Sequence, residues 1–138
     1  MMAWFADSSG LAAFADKSQT HHVESGRLVR GVCDRGDHFI TTDYVLVELT
    51  ALLTSPLRIP KPTQIAFLET LRSVDWVRVL PIDPTTLAAA WKLWGERPDK
   101  TWSLVDCSSF VVMNQLGVTD SLTSDRHFEQ AGFVRLLR

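Results

Sequence analysis

Short apolar runs and helical patterns alternate along this chain from end to end, and nowhere do two apolar runs meet across a tight hairpin turn. Strands that are not paired as hairpins pair in parallel through crossover helices, and a parallel sheet is covered on both faces. An α/β domain is the expected fold class. The first strand is residues 2–6, ended by Asp7-Ser8-Ser9-Gly10, which reads as a helix start that continues as a short helical piece over 11–15. A weaker helix follows from about Thr20 to Arg35, interrupted by Gly26 and Gly31, each costing about 1 kcal/mol relative to alanine. Gly36 can close it, and residues 39–41 read as a second strand.

Residues 41–54 form the next helix, capped by Thr42 or Asp43. From Tyr44 to Leu53 it is apolar nearly all round, the mark of a buried helix, and Glu48 is its only charge there. Residues 55–62 carry Pro56, Pro60 and Pro62 with Arg58 and Lys61 between them, a loop with a basic tip. Pro62 suits a first helical position, and Ile65, Phe67, Leu68 and Leu71 supply an apolar stripe to about Ser73. A third strand over 76–80 stops at Pro81. Pro84 opens a helix with Leu87, Trp91 and Trp94 on one apolar face, ended by Gly95 and Pro98.

Residues 102–128 carry the densest information. Ser103 is a good N-cap with Asp106 three positions on, an apolar run follows, and Gly117 is placed to end the helix. A short strand around 122–123 delivers Asp125 at its carboxyl end, a helix over 126–131 breaks at Gly132, and residues 133–136 form the last strand. Two carboxylates thus come to one edge of the sheet, where open α/β folds bind ligands.

The 138 residues, 46% of them hydrophobic, are enough for one core, and no repeat or linker divides residues 1–138. A net charge of −2 neither selects nor excludes nucleic acid as a partner; any positive surface must be a local patch. Cys33 and Cys107 make no disulfide framework, and Cys107, on an apolar helix, reads as a small core residue of a protein in a reducing cytosol. The opening MMAWFADSS lacks a basic n-region, and the longest uncharged run, 107–119, falls short of the roughly 20 apolar residues of a membrane span. A cytoplasmic protein is expected. The four histidines show no zinc spacing.

Four acids stand out by position: Asp7, Glu48, Asp106 and Asp125. Asp7 and Asp125 can be N-caps, and Asp106 with Ser103 fits a capping box. Glu48 lies too far inside its helix to cap, so its ordinary alternative is a buried ion pair with an arginine. If all four converge, two carboxylates about 5 Å apart repel by about 3 kcal/mol at an effective dielectric of about 20. Such a cluster must stay partly protonated, recruit a cationic side chain or bind a hard divalent cation. An all-oxygen set suits Mg²⁺ or Mn²⁺, and such a site serves phosphoryl chemistry.

The remaining conspicuous residues read more plainly. Trp4, Trp76, Trp91 and Trp94 are core or subunit-contact residues rather than base-stacking platforms. His127, beside Asp125, either touches phosphate or is a surface histidine. Ser8, Ser9 and Ser103 are hydrogen-bond donors without a neighbouring histidine base, and no Walker-type phosphate loop exists. Two rival functions stay open on these grounds: a receiver-like phosphoacceptor domain, which needs a late lysine although none follows Lys100, and a catalytically silent binding module.

The same acids, in this order, resemble the PIN domain, in particular the VapC-type toxins of toxin–antitoxin pairs. FADSSG (5–10), TDYVLVELTALL (42–53), DKTWSLVDCSSF (99–110) and LTSDRHFEQAGF (122–133) carry the four acid motifs. The resemblance implies a PIN-like three-layer α/β/α domain with a central parallel sheet. It further implies an endoribonuclease whose Asp7, Glu48, Asp106 and Asp125 hold Mg²⁺ or Mn²⁺ for RNA hydrolysis, usually dimeric and inhibited by a small antitoxin protein. Arg58, Lys61, Lys100 and Arg126 are candidates for contacts to the RNA backbone. Thr101 departs from the pattern, standing where relatives often carry a further acid, and Ser124 replaces a commonly aromatic residue.

Overall fold

The computed structural model describes residues 2–138. The chain runs β1 (Ala3–Ala6), α1 (Ser8–Ala15), α2 (His22–Asp34), β2 (His38–Thr42), α3 (Asp43–Thr54), α4 (Lys61–Ser73), β3 (Val77–Leu80), α5 (Pro84–Glu96), α6 (Leu104–Leu116), β4 (Asp120–Leu122), α7 (Arg126–Gln130) and β5 (Val134–Arg135). The strands form one sheet in the order β3-β2-β1-β4-β5, and every neighbouring pair is parallel. In β2 the consecutive residues Phe39, Ile40, Thr41 and Thr42 are all buried. Successive strand side chains point to opposite faces, so helices cover both.

The strand order reverses direction between β1 and β4, which pair through Phe5–Ser121 and Ala6–Leu122. The carboxyl ends of these two strands flank the crevice where open α/β sheets bind ligands. Gly10 lets α1 lie directly on β4: a Cβ added there would stand 2.0 Å from the Leu122 carbonyl oxygen. Phe110 of α6 meets Phe128 of α7 edge to face at 5.0 Å and Phe133 at 5.6 Å, while Phe5 of β1 lies 6.2 Å from Phe128. These buried rings lock α6 and α7 against β1.

The helix start expected at Asp7-Ser8-Ser9-Gly10 holds: Asp7 is the cap position and Ser8 to Gly10 already have helical geometry. Other expectations shift in detail. Lys61, not Pro62, is the first residue of α4. Helix α3 is not buried all round: Val47 is 69% exposed, at the rim of a groove of about 700 Å³ shared with Ile65 and Leu68 of α4. On α5 the outward face is the one bearing Trp91 and Trp94, 53% and 47% exposed, while Thr86 and Ala90 face inward. Small inward residues let α5 and α6 pack closely, and of the two roles expected for Trp91 and Trp94, core or subunit contact, their exposure excludes the core. Cys107 is fully buried as expected, and burial pushes its thiol up to about 11.

Candidate active site

Strand β1 ends at Ala6, and Asp7 follows in extended conformation as the N-cap residue of α1. Its carboxylate caps nothing. It is 3% exposed and accepts from Thr123 Oγ1 at 2.9 Å and Ser9 Oγ at 3.3 Å. Thr123 directly follows β4, and its hydroxyl also accepts the Asp125 backbone N–H at 3.0 Å. The two strand ends of the crevice are therefore joined by one hydroxyl.

Asp125 and Asp106 do serve as caps. Asp125 accepts from the His127 backbone N–H at 2.9 Å at the start of α7. Asp106 closes the capping box at the start of α6: Ser103 N–H donates to its Oδ2 at 3.0 Å, and its own N–H donates to Ser103 Oγ at 2.9 Å. The capping alternative is thus correct for Asp106, yet it engages only one side of the carboxylate. Glu48, half-buried on α3, accepts from Ser8 Oγ at 2.5 Å across the α1–α3 contact.

From sequence His127 either touches phosphate or is a surface histidine, and the structure brings it into the site. Its Nδ1 lies 2.9 Å from Asp106 Oδ2 and 3.4 Å from Asp125 Oδ1, and its Nε2 lies 3.1 Å from Thr101 Oγ1. Asp106, Asp125 and His127 each offer one ligand atom, all within 4.8 Å of one another. The only sequence signal was its spacing two residues past Asp125. Thr123 likewise gave no signal, because its role depends on β1 lying beside β4.

Electrostatics binds Asp7 and Glu48 to this group. Burial raises Asp7 from 3.8 to about 7, with the Glu48 charge as the next cause and Asp106 a smaller one. Burial also raises Glu48, helped by Asp106 and Asp125, and raises Asp106, helped by Asp125. Among the described residues no arginine or lysine makes an ion pair with any of the four acids. The arginine alternative for Glu48 is not realised. Asp7, Glu48 and Asp106, each with a raised affinity for protons, together with Asp125 and the neighbouring imidazole, are a donor set that fits a hard divalent cation.

The basic candidates divide. Lys100 lies in the connection leading to the Ser103 cap, and Arg126 follows Asp125 directly with its side chain exposed. Arg58 lies in the α3–α4 connection, and Lys61, the first residue of α4, is on the wall of the α3–α4 groove.

Comparison with known proteins agrees with this geometry. The family model described as PIN domain matches residues 5–134. The chain is 27% identical over 132 residues to the 23S rRNA-specific endonuclease VapC20 of Mycobacterium tuberculosis, in both strain CDC 1551 / Oshkosh and strain H37Rv, covering 96% of each chain. The crystal structure of M. tuberculosis VapC20, described as a Sarcin-Ricin loop cleaving toxin, superposes with a TM-score of 0.84 at 26% identity. That match covers 96% of this chain and 97% of the other.

Proposed function

The chain belongs to the PIN domain family, and from that premise we propose that it is an endoribonuclease toxin. Asp7, Glu48, Asp106 and Asp125 would hold Mg²⁺ or Mn²⁺, with residues 1–138 acting as one PIN-like domain. One observation carries the reading: four carboxylates gather at the sheet's switch point with no arginine or lysine to neutralise them. A divalent cation there supplies Lewis-acid stabilisation of charge on a scissile phosphate and a nucleophile from water at neutral pH.

The chain's own residues do the positioning. Thr123 and Ser9 orient the Asp7 carboxylate, Ser8 orients that of Glu48, and the Ser103 N–H and His127 Nδ1 both meet Asp106 Oδ2. Lys100, in the connection leading to the Ser103 cap, and Arg126, next to Asp125, are the candidates to contact RNA phosphates. The relative's name points to ribosomal RNA as the first substrate to try. We further propose a cytoplasmic homodimer restrained by a small antitoxin protein. The exposed apolar residues Val47, Ile65, Trp91 and Trp94 support partner surfaces of that kind.

The test is cleavage of ribosomal RNA by the purified protein with and without divalent ions, read by primer extension. Cleavage in Mg²⁺ or Mn²⁺ that stops in EDTA, and is absent from Asp7→Asn and Asp106→Asn, is expected. Undiminished cleavage in EDTA, or by both variants, overturns the proposal.

A further inference from the structure

The imidazole of His127 is more than a neighbour of the acids. Its Nδ1 stands 2.9 Å from Asp106 Oδ2 and 3.4 Å from Asp125 Oδ1. An octahedral cation with bonds of roughly 2.0–2.1 Å holds adjacent donor atoms roughly 3 Å apart, so this spacing is that of neighbouring ligands as well as that of a hydrogen bond. Two features fix the ring. The His127 backbone N–H is tied to Asp125 Oδ1 at 2.9 Å, and the adjacent Phe128 is fully buried against Phe5 and Phe110.

Behind the ring, Thr101 Oγ1 lies 3.1 Å from Nε2. A hydroxyl both donates and accepts, so it serves either tautomer without moving the ring. When Nδ1–H donates to Asp106, Thr101 donates to Nε2. When a cation takes the Nδ1 lone pair, the proton resides on Nε2 and Thr101 accepts it. A ligating histidine typically has such an acceptor on its far nitrogen.

We propose that His127 is a nitrogen ligand of the site's divalent cation and that Thr101 is its positioning residue. The site is then mixed nitrogen–oxygen and favours Mn²⁺ over Mg²⁺, because imidazole suits transition metals and carboxylates suit both. The inference rests on the metal-dependent reading above and adds to it one ligand that the acid pattern does not contain.

The experiment is electron spin echo envelope modulation on the Mn²⁺-loaded protein, with calorimetric titration of both ions. The wild type is expected to show ¹⁴N modulation from imidazole that vanishes in both His127→Gln and His127→Ala. His127→Gln is expected to weaken Mn²⁺ binding by about tenfold or more and Mg²⁺ binding by less, with Thr101→Val weakening Mn²⁺ severalfold and Thr101→Ser restoring it. Bound Mn²⁺ without ¹⁴N modulation, or modulation that persists in both His127 variants, overturns the inference and leaves the carboxylate site standing. Failure of the wild type to bind Mn²⁺ or Mg²⁺ overturns the inference and the metal-dependent reading together.

Discussion

Thr123 Oγ1 donates to Asp7 Oδ2 at 2.9 Å across 116 residues of sequence. The same hydroxyl accepts the Asp125 N–H and meets Ser9 Oγ at 3.0 Å. It therefore couples the ends of β1 and β4 to the acids that follow them. Thr123→Val keeps the side-chain shape but leaves the buried Asp7 carboxylate and the Asp125 N–H short of a partner. A loss of about 1–3 kcal/mol in urea unfolding is expected, together with weaker divalent-ion binding. Thr123→Ser should preserve both. Equal behaviour of the two variants would show that the hydroxyl organises nothing.

Asp106 has a structural duty in the capping box, so a variant must separate capping from metal binding. Asp106→Asn keeps an oxygen to accept the Ser103 N–H but removes one negative charge from the cluster. In EDTA its melting temperature is expected to be no lower than that of the wild type, because repulsion with Asp125 is relieved. The rise in melting temperature that millimolar Mg²⁺ or Mn²⁺ gives the wild type should disappear. RNA cleavage should fall by at least about a hundredfold, since even indirect supports of a metal ligand are worth about 10–100-fold. A large melting-temperature loss with an intact response to metal would make Asp106 a cap alone.

The acids were readable in the sequence because local chemistry marks each of their positions. Asp7 follows an apolar strand, Asp106 falls at the third position after a serine cap, and Glu48 is the single charge between Tyr44 and Leu53. The supports were not readable. His127 and Thr123 acquire their roles only when α6, α7 and β1 are brought together by the Phe5, Phe110 and Phe128 rings, contacts remote in sequence. The orientation of α5 was left open for a related reason. An apolar face of Leu87, Trp91 and Trp94 signals burial, but not whether the buried partner is the core or another chain, whereas Thr86 and Ala90 fit the tight contact with α6. Val47 on α3 escapes burial for the same reason: periodicity shows which residues are apolar, not where the helix layer ends.

Stability should depend on pH through Asp7. The unfolded chain releases this proton near 3.8, while the folded, metal-free protein keeps it to about 7 because of burial and the Glu48 charge. Between those values the native state binds more protons than the unfolded state, so stability falls as pH rises from about 4 to 7. At 1.36 kcal/mol per unit the effect approaches about 4 kcal/mol. Glu48 and Asp106 are shifted in the same direction and add to the trend. In EDTA the urea midpoint is expected to be higher at pH 5 than at pH 8, and Asp7→Asn should flatten the difference. Saturating Mn²⁺ should also shrink it, because the cation binds the ionised site. A midpoint in EDTA that rises with pH over this window would contradict a raised Asp7.

Gly10 sets how closely α1 approaches β4, and with it the distance across the site. A Cβ there meets the Leu122 carbonyl oxygen at 2.0 Å and its carbon at 2.7 Å, both backbone atoms held in the sheet, so no side-chain rotation relieves the clash. The helix itself has to shift. Asp7 begins that helix, its N–H donates to the same Leu122 oxygen at 3.2 Å, and Thr123 is the next residue along. Gly10→Ala is therefore expected to cost at least about 2 kcal/mol in unfolding experiments and to weaken divalent binding by stretching the Asp7–Thr123 pair. Gly95→Ala is the control: it lies on α5, nothing stands within 4 Å of an added Cβ, and its backbone needs no glycine. Removing glycine from that helix should be neutral or stabilise by up to about 1 kcal/mol with metal binding unchanged. If the two variants behaved alike, the close approach of α1 to β4 would not be what holds the acids in register.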